Sequence, residues 1–383
     1  MARSEALLTE RSLVFLTASE IRFGRGKARE VAAAAKTFGI RVMLINGATA
    51  ARADWLADQL TPVARFAVGH EPDIAMIEAC VVAARAARAQ VIVALGGAVI
   101  DAGESIAALV PARLPIMDHL EVVGQGLPLD ADPLPFIAVP TTAGTGAEVT
   151  KNAVIGVPSA RRKVSLRDNR MLPDLAVVDP ALTDGTPKSV TLASGLDAIT
   201  QVIEPYLCTK SNRMTDALCR DAIPLGLAAL IRLTEAEDAT ARENLAWVSL
   251  CGGLALANAG LGAVHGLAGP IGGAAPAPHG AVCGALLPPV LAANAKAAKG
   301  VAAGRISEIQ NWISRVFEVE TDHAITALQR WSTHHGLPRL SQMGLRQDDL
   351  QDIAQASLGS SSMLSNPVVL TLDELTDILY AAY

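Results

Sequence analysis

The sequence predicts an α/β N-terminal domain with a mostly parallel sheet, followed by an all-α C-terminal domain. Two observations support this prediction. Up to about residue 180, short apolar runs alternate with helical patterns, as in sheets whose parallel strands are joined by helices. Beyond Asp179 the alternation stops and long helical patterns dominate. We therefore expect two domains, residues 1–185 and 186–383.

The predicted elements of the first domain follow one another in regular order. Strands are expected at 12–17, 20–24, 41–46, 64–68, 90–95 and 136–139. Helices are expected at 27–38, 48–60 and 73–88, and from the turn at 96–101 to Leu109. Asp73 is an expected N-cap because its carboxylate can accept from a free helix amide.

The second domain is predicted to consist of helices and small-residue connections. Helices are expected at 192–206, 213–234, 240–257, 280–298, 303–317 and 371–383. The glycine-, alanine- and proline-rich segment 259–278 is expected to join two of them. Asp373 and Glu374 lie in the first turn of the last helix, where negative charge is favourable.

Composition and charge limit the possible functions. The chain has 383 residues, is 51% hydrophobic and carries a net charge of −6. It contains no basic tract with interleaved aromatic residues, which argues against nucleic-acid binding. No apolar leader and no run of about 18 uncharged apolar residues is present, so no membrane segment is predicted and the expected compartment is the cytoplasm.

The number and spacing of the cysteines do not indicate a disulfide framework. There are five of them, an odd number, without a Cys-x-x-Cys pair. This pattern favours reduced, buried thiols over disulfides or a cysteine-rich zinc site. We expect packing roles for all five: Cys80, Cys208, Cys219, Cys251 and Cys283.

Two loops are predicted to meet at one edge of the sheet. The strand ending at Leu95 runs into Gly96 and Gly97 and then into a helix, whose free amides and dipole can hold an anion. The strand at 136–139 ends at Pro140 and continues into a loop with three threonine hydroxyls and two glycines. Ligands of open α/β sheets bind at the carboxyl ends of the strands, so these loops predict a binding cleft.

A second group of polar residues lies in the helical half. Asp197 and Gln201 are four residues apart and share one face of an otherwise apolar helix. His265 and His279 occur in apolar, glycine-rich surroundings. One carboxylate and two imidazoles are a suitable ligand set for a divalent metal. Separately buried, hydrogen-bonded side chains are the alternative that spacing alone leaves open.

The chain resembles the iron-containing (group III) alcohol dehydrogenase family over nearly its whole length. The matching motifs are Gly-Gly-x-x-x-Asp at 96–101, Pro-Thr-Thr-Ala-Gly-Thr-Gly-x-Glu at 140–148, Asp-Pro-x-Leu-Thr at 179–183, Gly-Leu-Asp-Ala at 195–198 and Pro-His-Gly at 278–280. The resemblance implies a nicotinamide cofactor (NAD or NADP) in the cleft, a catalytic divalent metal held by the helical domain, and a homodimer. It also implies reversible oxidation of a small alcohol to an aldehyde or ketone.

The resemblance assigns roles to individual residues of this sequence. The implied catalytic and metal-binding residues are Asp197, His265 and His279, with Gln201 as a weak or absent fourth ligand. The expected cofactor-binding residues are Gly47, Gly96, Gly97, Ala98, Asp101, Thr141, Thr142, Thr145 and Lys163. The last belongs to a basic segment, Lys151 with 161–163, that suits an acidic substrate or a cofactor phosphate, although a solvated turn is the common explanation for such a segment.

Several positions depart from the family pattern. Leu95, Ala98, Glu104 and Ala147 replace a glycine, a serine, a lysine and a serine, so the phosphate site depends more on backbone amides. Gln201 stands where a metal-binding histidine is usual, and Gly269 where a further active-site histidine is usual. Losing an imidazole weakens the site, especially for Fe²⁺, so zinc is expected over iron. Glycerol-dehydrogenase-like relatives manage with one aspartate and two histidines.

Cofactor choice is predicted from the end of the second strand. Relatives that prefer NAD often carry an acidic residue there, whereas this chain has Asn46 and Gly47. No negative charge repels a 2′-phosphate, and Arg52 is close in sequence. We therefore expect NADPH to be accepted at least comparably with NADH.

Other functions remain open from the sequence. A maleylacetate-reductase-like enzyme would reduce a keto acid without metal, with His265 or His279 steadying the oxyanion. A lyase of the dehydroquinate-synthase type joins the same two kinds of domain and shows no net change in NADH. A binding or regulatory protein that has lost turnover is the third alternative, suggested by Gln201 and Gly269.

Overall fold

A six-stranded parallel sheet forms the centre of the N-terminal domain. The computed structural model describes residues 12–160 and 162–383. Numbered in chain order, the strands lie side by side as β1 (Glu20–Phe23), β8 (Leu175–Val178), β5 (Phe136–Val139), β4 (Val91–Leu95), β2 (Val42–Gly47) and β3 (Ala64–Val68). β8, β5 and β4 are entirely buried, as expected for continuous apolar runs covered on both faces.

Helices cover both faces of this sheet. α1 (Val31–Phe38) and α2 (Asp54–Leu60) pack on one face, and α3 (Ile74–Ala86) and α4 (Val99–Leu109) on the other. A short helix, α5 (Ile116–His119), follows. The Asp73 side chain accepts a hydrogen bond from the Met76 amide at 2.8 Å, which confirms the predicted N-cap of α3.

Two sequence-based predictions for this domain are wrong. Residues 12–17 are not a strand, because the Leu16 backbone is held by the Asn258 side chain through bonds of 2.6 and 2.8 Å rather than by a neighbouring strand. Conversely, an antiparallel hairpin of β6 (Asn152–Val157) and β7 (Arg162–Arg167) was not predicted. Its strands bury only alternate side chains, so the apolar signal was weak.

The C-terminal domain is all-helical, which confirms the predicted fold class. Its helices are α6 (Lys188–Leu207), α7 (Arg213–Glu235), α8 (Ala239–Asn258), α9 (Ala263–Ala274), α10 (His279–Ala297), α11 (Gly300–Phe317), α12 (Ala324–His334), α13 (Leu350–Ser357) and α14 (Leu372–Ala382). α6 lies at the centre, packed against α7, α8 and α10. β8 ends at Val178 and α6 begins at Lys188, so we propose the domain boundary near residue 185.

α9 corrects a further prediction, since its residues were expected to form a connection. The helix tolerates its glycines because they permit close packing: a Cβ at Gly266 would lie 3.0 Å from the Met363 side chain. Val264, Leu267 and Ile271, spaced three and four residues apart, face the core. Burial of these apolar side chains in the folded domain therefore outweighs the low helix propensity of glycine in α9.

α10 is long and apolar enough to cross a bilayer by length and composition. Within the domain it packs against α6, α9, α12 and α14, and more than half of it is buried inside the protein. Its apolar character is explained by its position in the helical core.

Candidate active site

Three strand ends meet where the sequence predicted a cleft. Gly96 has φ +156°, and a Cβ placed there would lie 3.8 Å from the Gly47 amide nitrogen. A Cβ on Gly97 would lie 2.8 Å from Thr142 Oγ1. The ends of β2, β4 and β5 are thus in contact, and the absence of a side chain at Gly97 lets the Thr142 hydroxyl approach the backbone of the β4–α4 turn. A small residue is required here for backbone amides to approach a ligand.

The N-terminus of α4 faces this space. Ala98 is exposed at the N-cap, and Asp101 lies partly buried in the first turn. Burial raises the pKa of Asp101 to about 7. The carboxyl group is therefore largely neutral in mildly acidic solution, which reduces its repulsion of an anion at the helix terminus.

The threonine loop, residues 141–146, is fastened to the helical domain. Gly146 has φ +59°, and a Cβ on Gly253 of α8 would lie only 2.1 Å from the Gly146 carbonyl oxygen. The Gln201 amide of α6 also donates a hydrogen bond to the Thr145 carbonyl. These contacts hold the threonine loop in a defined position relative to α6.

Three of the four predicted metal-binding residues converge between the domains. Asp197 comes from α6, His265 from α9 and His279 from the first turn of α10. His265 Nε2 is 3.6 Å and His279 Nε2 is 3.9 Å from Asp197 Oδ1. Asp197 is 2% exposed, and its Oδ1 has no hydrogen-bond partner among the described residues. An unpaired buried carboxylate facing two imidazoles fits a cation.

Cys283 is fully buried in the helical core, which agrees with its predicted packing role, and it also lies beside the polar group. This thiol lies one turn after His279 on α10, and its Sγ is 3.6 Å from His279 Nε2 and 3.8 Å from His265 Nε2. It forms a group with Asp197 and the two histidines whose ligand atoms all lie within 4.8 Å of one another. The available signal was the spacing of four residues between His279 and Cys283, but the predicted helix began only at Gly280.

Gln201 is engaged outside this group. It lies one turn after Asp197, but its side-chain nitrogen donates to the Thr145 carbonyl. The hydrogen bond directs the amide toward the threonine loop. Gln201 therefore connects the helical domain to the threonine loop.

Glu204 is a functional candidate that the sequence patterns did not reveal. Its Oε2 accepts from His265 Nδ1 at 2.6 Å, and its Oε1 accepts from the Val264 amide at 2.7 Å. This contact assigns the proton of a neutral His265 ring to Nδ1, so Nε2 presents its lone pair to Asp197. The available signal was its position seven residues after Asp197, on the same face of a buried helix.

The electrostatic environment of the group favours positive charge. The negative charge of Cys283 is the main cause that raises the pKa of His279 to about 9, against the opposing effect of burial. Burial lowers the pKa of His265, but Cys283 and Glu204 outweigh it, so the pKa lies well above its usual value. Burial alone would raise the pKa of Asp197, and the two histidines reverse this effect.

A cavity of about 460 Å³ opens beside His265. Arg162 and Lys163 of β7 and Gly269 of α9 contribute to its wall. Lys163, a predicted cofactor-binding residue, lies on β7 and is ion-paired with Glu71, so it belongs to a strand rather than to a solvated turn. The cavity volume is in the usual range for a small-molecule site.

We predict that Glu204→Gln lowers metal affinity about tenfold to a hundredfold, the usual effect of altering a partner of a metal-binding histidine. A carboxylate accepts from both donors, whereas an amide offers one oxygen and opposes the other donor with its NH₂ group. Equilibrium dialysis against Zn²⁺ measures the change. Glu78→Gln, at an exposed position of α3, is the control, and equal affinities in the two variants would contradict the assignment.

Comparison with known proteins agrees with this arrangement. Residues 18–180 match the family model described as iron-containing alcohol dehydrogenase, and residues 191–383 match the model of the C-terminal part of the same family. Alcohol dehydrogenase 4 of Saccharomyces cerevisiae is 33% identical over 82% of this chain and 81% of its own length. Lactaldehyde reductase of Escherichia coli is 34% identical over 68% of each chain.

Solved structures show the same architecture. A 1,3-propanediol oxidoreductase superposes with a TM-score of 0.86 at 27% identity, covering 97% of this chain and all of that one. An alcohol dehydrogenase from Oenococcus oeni superposes with a TM-score of 0.84 at 28% identity over 97% of this chain and 100% of its own.

An α/β domain whose strand ends form a cleft, joined to a helical domain with a group that could hold a metal, is the arrangement expected of a nicotinamide-dependent, metal-binding dehydrogenase. The chain belongs to the iron-containing alcohol dehydrogenase family. It is an oxidoreductase that interconverts small alcohols with aldehydes or ketones, which confirms the leading functional prediction.

Proposed function

We propose that this protein is a metal-assisted alcohol dehydrogenase and carbonyl reductase whose metal is held by Asp197, His265 and His279. The observation that carries the proposal is the unpaired Asp197 Oδ1, buried between two imidazole nitrogens beside the cofactor edge. The test is to follow NAD(P)H consumption with a panel of small aldehydes and ketones, with and without a chelator, and to measure bound metal. Turnover that resists complete metal removal would contradict the proposal.

The side chains of this protein bind and orient the substrate, and the bound metal and nicotinamide would supply the reactive groups. When present, the metal polarises the carbonyl oxygen and the nicotinamide donates or accepts the hydride at the carbonyl carbon. Asp197 forms the closed side of the site, whereas His265 borders the cavity and the His279 side chain is 36% exposed. Substrate and solvent protons would therefore reach the site from the side of the two histidines.

We infer that the cofactor lies across the ends of β2, β4 and β5, on the remaining predicted residues. Gly47, Gly96, Gly97, Ala98 and Asp101 would face its phosphates and adenosine. Thr141, Thr142, Thr145 and Lys163 would face the part nearer the metal. Support comes from the contact of these loops and from the close approach of the Thr142 side chain to the Gly97 backbone.

We predict that Gly97→Val weakens NAD(P)H binding more than tenfold, about 1.4 kcal/mol. The new side chain would start 2.8 Å from Thr142 Oγ1 and would occupy the position of the approaching ligand. Fluorescence titration measures the affinity, and circular dichroism checks the fold. Unchanged NAD(P)H affinity in a folded variant would show that the β4–α4 turn does not contact the cofactor.

We predict that NADPH is used at least comparably with NADH. The end of β2 carries Asn46 rather than an acid, and the Arg65 guanidinium donates to Asn46 Oδ1 at 2.7 Å. This arginine of β3, which sequence distance did not suggest, is also ion-paired with Asp54 at 2.8 Å and would exchange that partner for a 2′-phosphate. The measurement is kcat/KM with each cofactor; a preference for NADH of about a hundredfold, or 2.7 kcal/mol, would refute the prediction.

We also propose that the metal in use is zinc, although the family is named for iron. A site with fewer imidazoles binds Fe²⁺ more weakly than Zn²⁺. Elemental analysis of protein purified without added metal tests this preference. Iron at full occupancy would overturn it.

A reductase of a keto acid is the second candidate. The observation that favours it is the pair Arg162 and Lys163 in the wall of the cavity beside His265, which also carries Asp349 and Asp352. Lys163 is ion-paired with Glu71, so Arg162 is the cation of the pair that a substrate carboxylate would meet. Arg161, from the same basic segment, lies outside the described residues. A preference for anionic carbonyl compounds over neutral ones of the same size would support this substrate class. Loss of that preference in Arg162→Gln would assign it to the basic side chain.

The oligomeric state and compartment are proposals as well. We propose a homodimer, on the basis of the family resemblance, and light scattering coupled to gel filtration measures it. We propose a cytoplasmic location, supported by the five cysteines, which are all buried and unpaired.

A further inference from the structure

The four ligand atoms around the Asp197 carboxylate have the dimensions of a tetrahedral metal cage. Ordinary zinc bond lengths to oxygen, nitrogen and sulfur place neighbouring ligand atoms about 3.3 to 3.6 Å apart in a tetrahedron. Four of the six separations are 3.6 and 3.9 Å from Asp197 Oδ1 to the two histidines, and 3.6 and 3.8 Å from Cys283 Sγ to the same nitrogens, and all six lie within 4.8 Å. A contraction of a few tenths of an ångström would bring these four separations to the tetrahedral values.

Cys283 is placed with the other three ligand candidates rather than apart from them. Its Sγ faces the Nε2 atoms of two imidazoles and lies beside Asp197 Oδ1, which has no hydrogen-bond partner among the described residues. Glu204 holds the other ring nitrogen of His265, so Nε2 is the atom of that ring directed at the group. One sulfur, two imidazole nitrogens and one carboxylate oxygen therefore surround a common centre, where one cation would bind all four.

The Cys283 thiol also supplies a charged metal donor, which the neutral amide of Gln201 does not provide. Gln201 is a neutral amide bonded to the Thr145 carbonyl, whereas Cys283 follows His279 by one turn of α10 and faces the same way. With Asp197 and a thiolate, two negative charges balance a divalent ion. A thiolate is a preferred ligand of zinc and cobalt, in contrast to a carboxamide.

We propose that Cys283 is a metal ligand of this protein, so that its catalytic metal is held by an Asp-His-His-Cys set in which a thiolate from α10 takes the place of the donor missing at Gln201. The proposal rests on the proposed metal-assisted function. It assigns to the cysteine a role that the other four buried thiols do not share.

The test is a cobalt titration of the full-length protein after removal of metal with a chelator. Cobalt bound through sulfur shows a near-ultraviolet charge-transfer absorption that oxygen and nitrogen ligands do not produce. We expect one cobalt per chain with this absorption in the parent and in Cys80→Ser, a matched change of a buried thiol in α3. Cys283→Ser should lose the absorption and bind cobalt about a hundredfold more weakly, at least as large an effect as losing a partner of a ligand.

A second variant separates loss of a ligand from loss of structure. Adding Gln201→His to Cys283→Ser should restore cobalt affinity without restoring the sulfur absorption, because an imidazole then supplies the fourth donor. Cobalt binding in the parent without the sulfur absorption would overturn the cysteine assignment and leave the proposed metal-assisted function standing. If the parent binds no cobalt and no zinc, the cysteine assignment and the proposed metal-assisted function are both contradicted.

Discussion

Asp197→Ala should abolish metal retention and lower kcat/KM at least about a thousandfold, or 4 kcal/mol. The carboxylate is 2% exposed and its Oδ1 is the atom that both histidines face. Without it, two imidazoles of raised pKa lie together with less negative charge to balance them. The remaining donors hold a cation weakly because the only carboxylate of the group has been removed.

Metal analysis and steady-state kinetics on the same preparations measure this effect. Asp58→Ala, at an exposed position of α2, is the matched control and should keep both metal and activity. Cofactor affinity of Asp197→Ala should remain close to that of the parent, since Asp197 lies on the helical side of the cleft. Full activity in a metal-free Asp197→Ala protein would show that the group serves another purpose.

Gly253→Ala should lower the free energy of unfolding by about 3 kcal/mol or more, although it adds a single methyl group. The new Cβ would lie 2.1 Å from the Gly146 carbonyl oxygen and 2.8 Å from its carbon. Both neighbours are backbone atoms of the threonine loop, so no side-chain rotation relieves the overlap. The loop must move away from α8, which also disturbs the Gln201 hydrogen bond to Thr145.

Chemical denaturation of both proteins gives the difference in stability. Gly304→Ala is the control, because its Cβ would meet no atom within 4 Å in the exposed part of α11. This second change should be neutral or stabilising by up to about 1 kcal/mol, the difference in helix propensity between alanine and glycine. Equal stabilities of the two variants would mean that the threonine loop does not rest on α8.

Local patterns were sufficient for most of the secondary structure. The apolar runs that became β4 and β5 were predicted because strands buried on both faces need no polar alternation. The same criterion missed β6 and β7, whose outer side chains are partly or fully exposed. It also misjudged α9, whose glycines and internal proline favour a loop in an isolated peptide, whereas packing against neighbouring elements stabilises the helix in the folded protein.

The sequence by itself predicted the two domains' architectures and three metal-ligand candidates, because each depends on a local motif or on the periodicity of a single segment. Its resemblance to a known family implied the class of enzyme. Only the tertiary structure decided that Glu204 orients His265, that Gln201 binds the threonine loop, and that Cys283 faces the same centre as Asp197. These relations join side chains from different helices. Their distances depend on how α6, α9 and α10 pack, and no spacing along the chain encodes that packing.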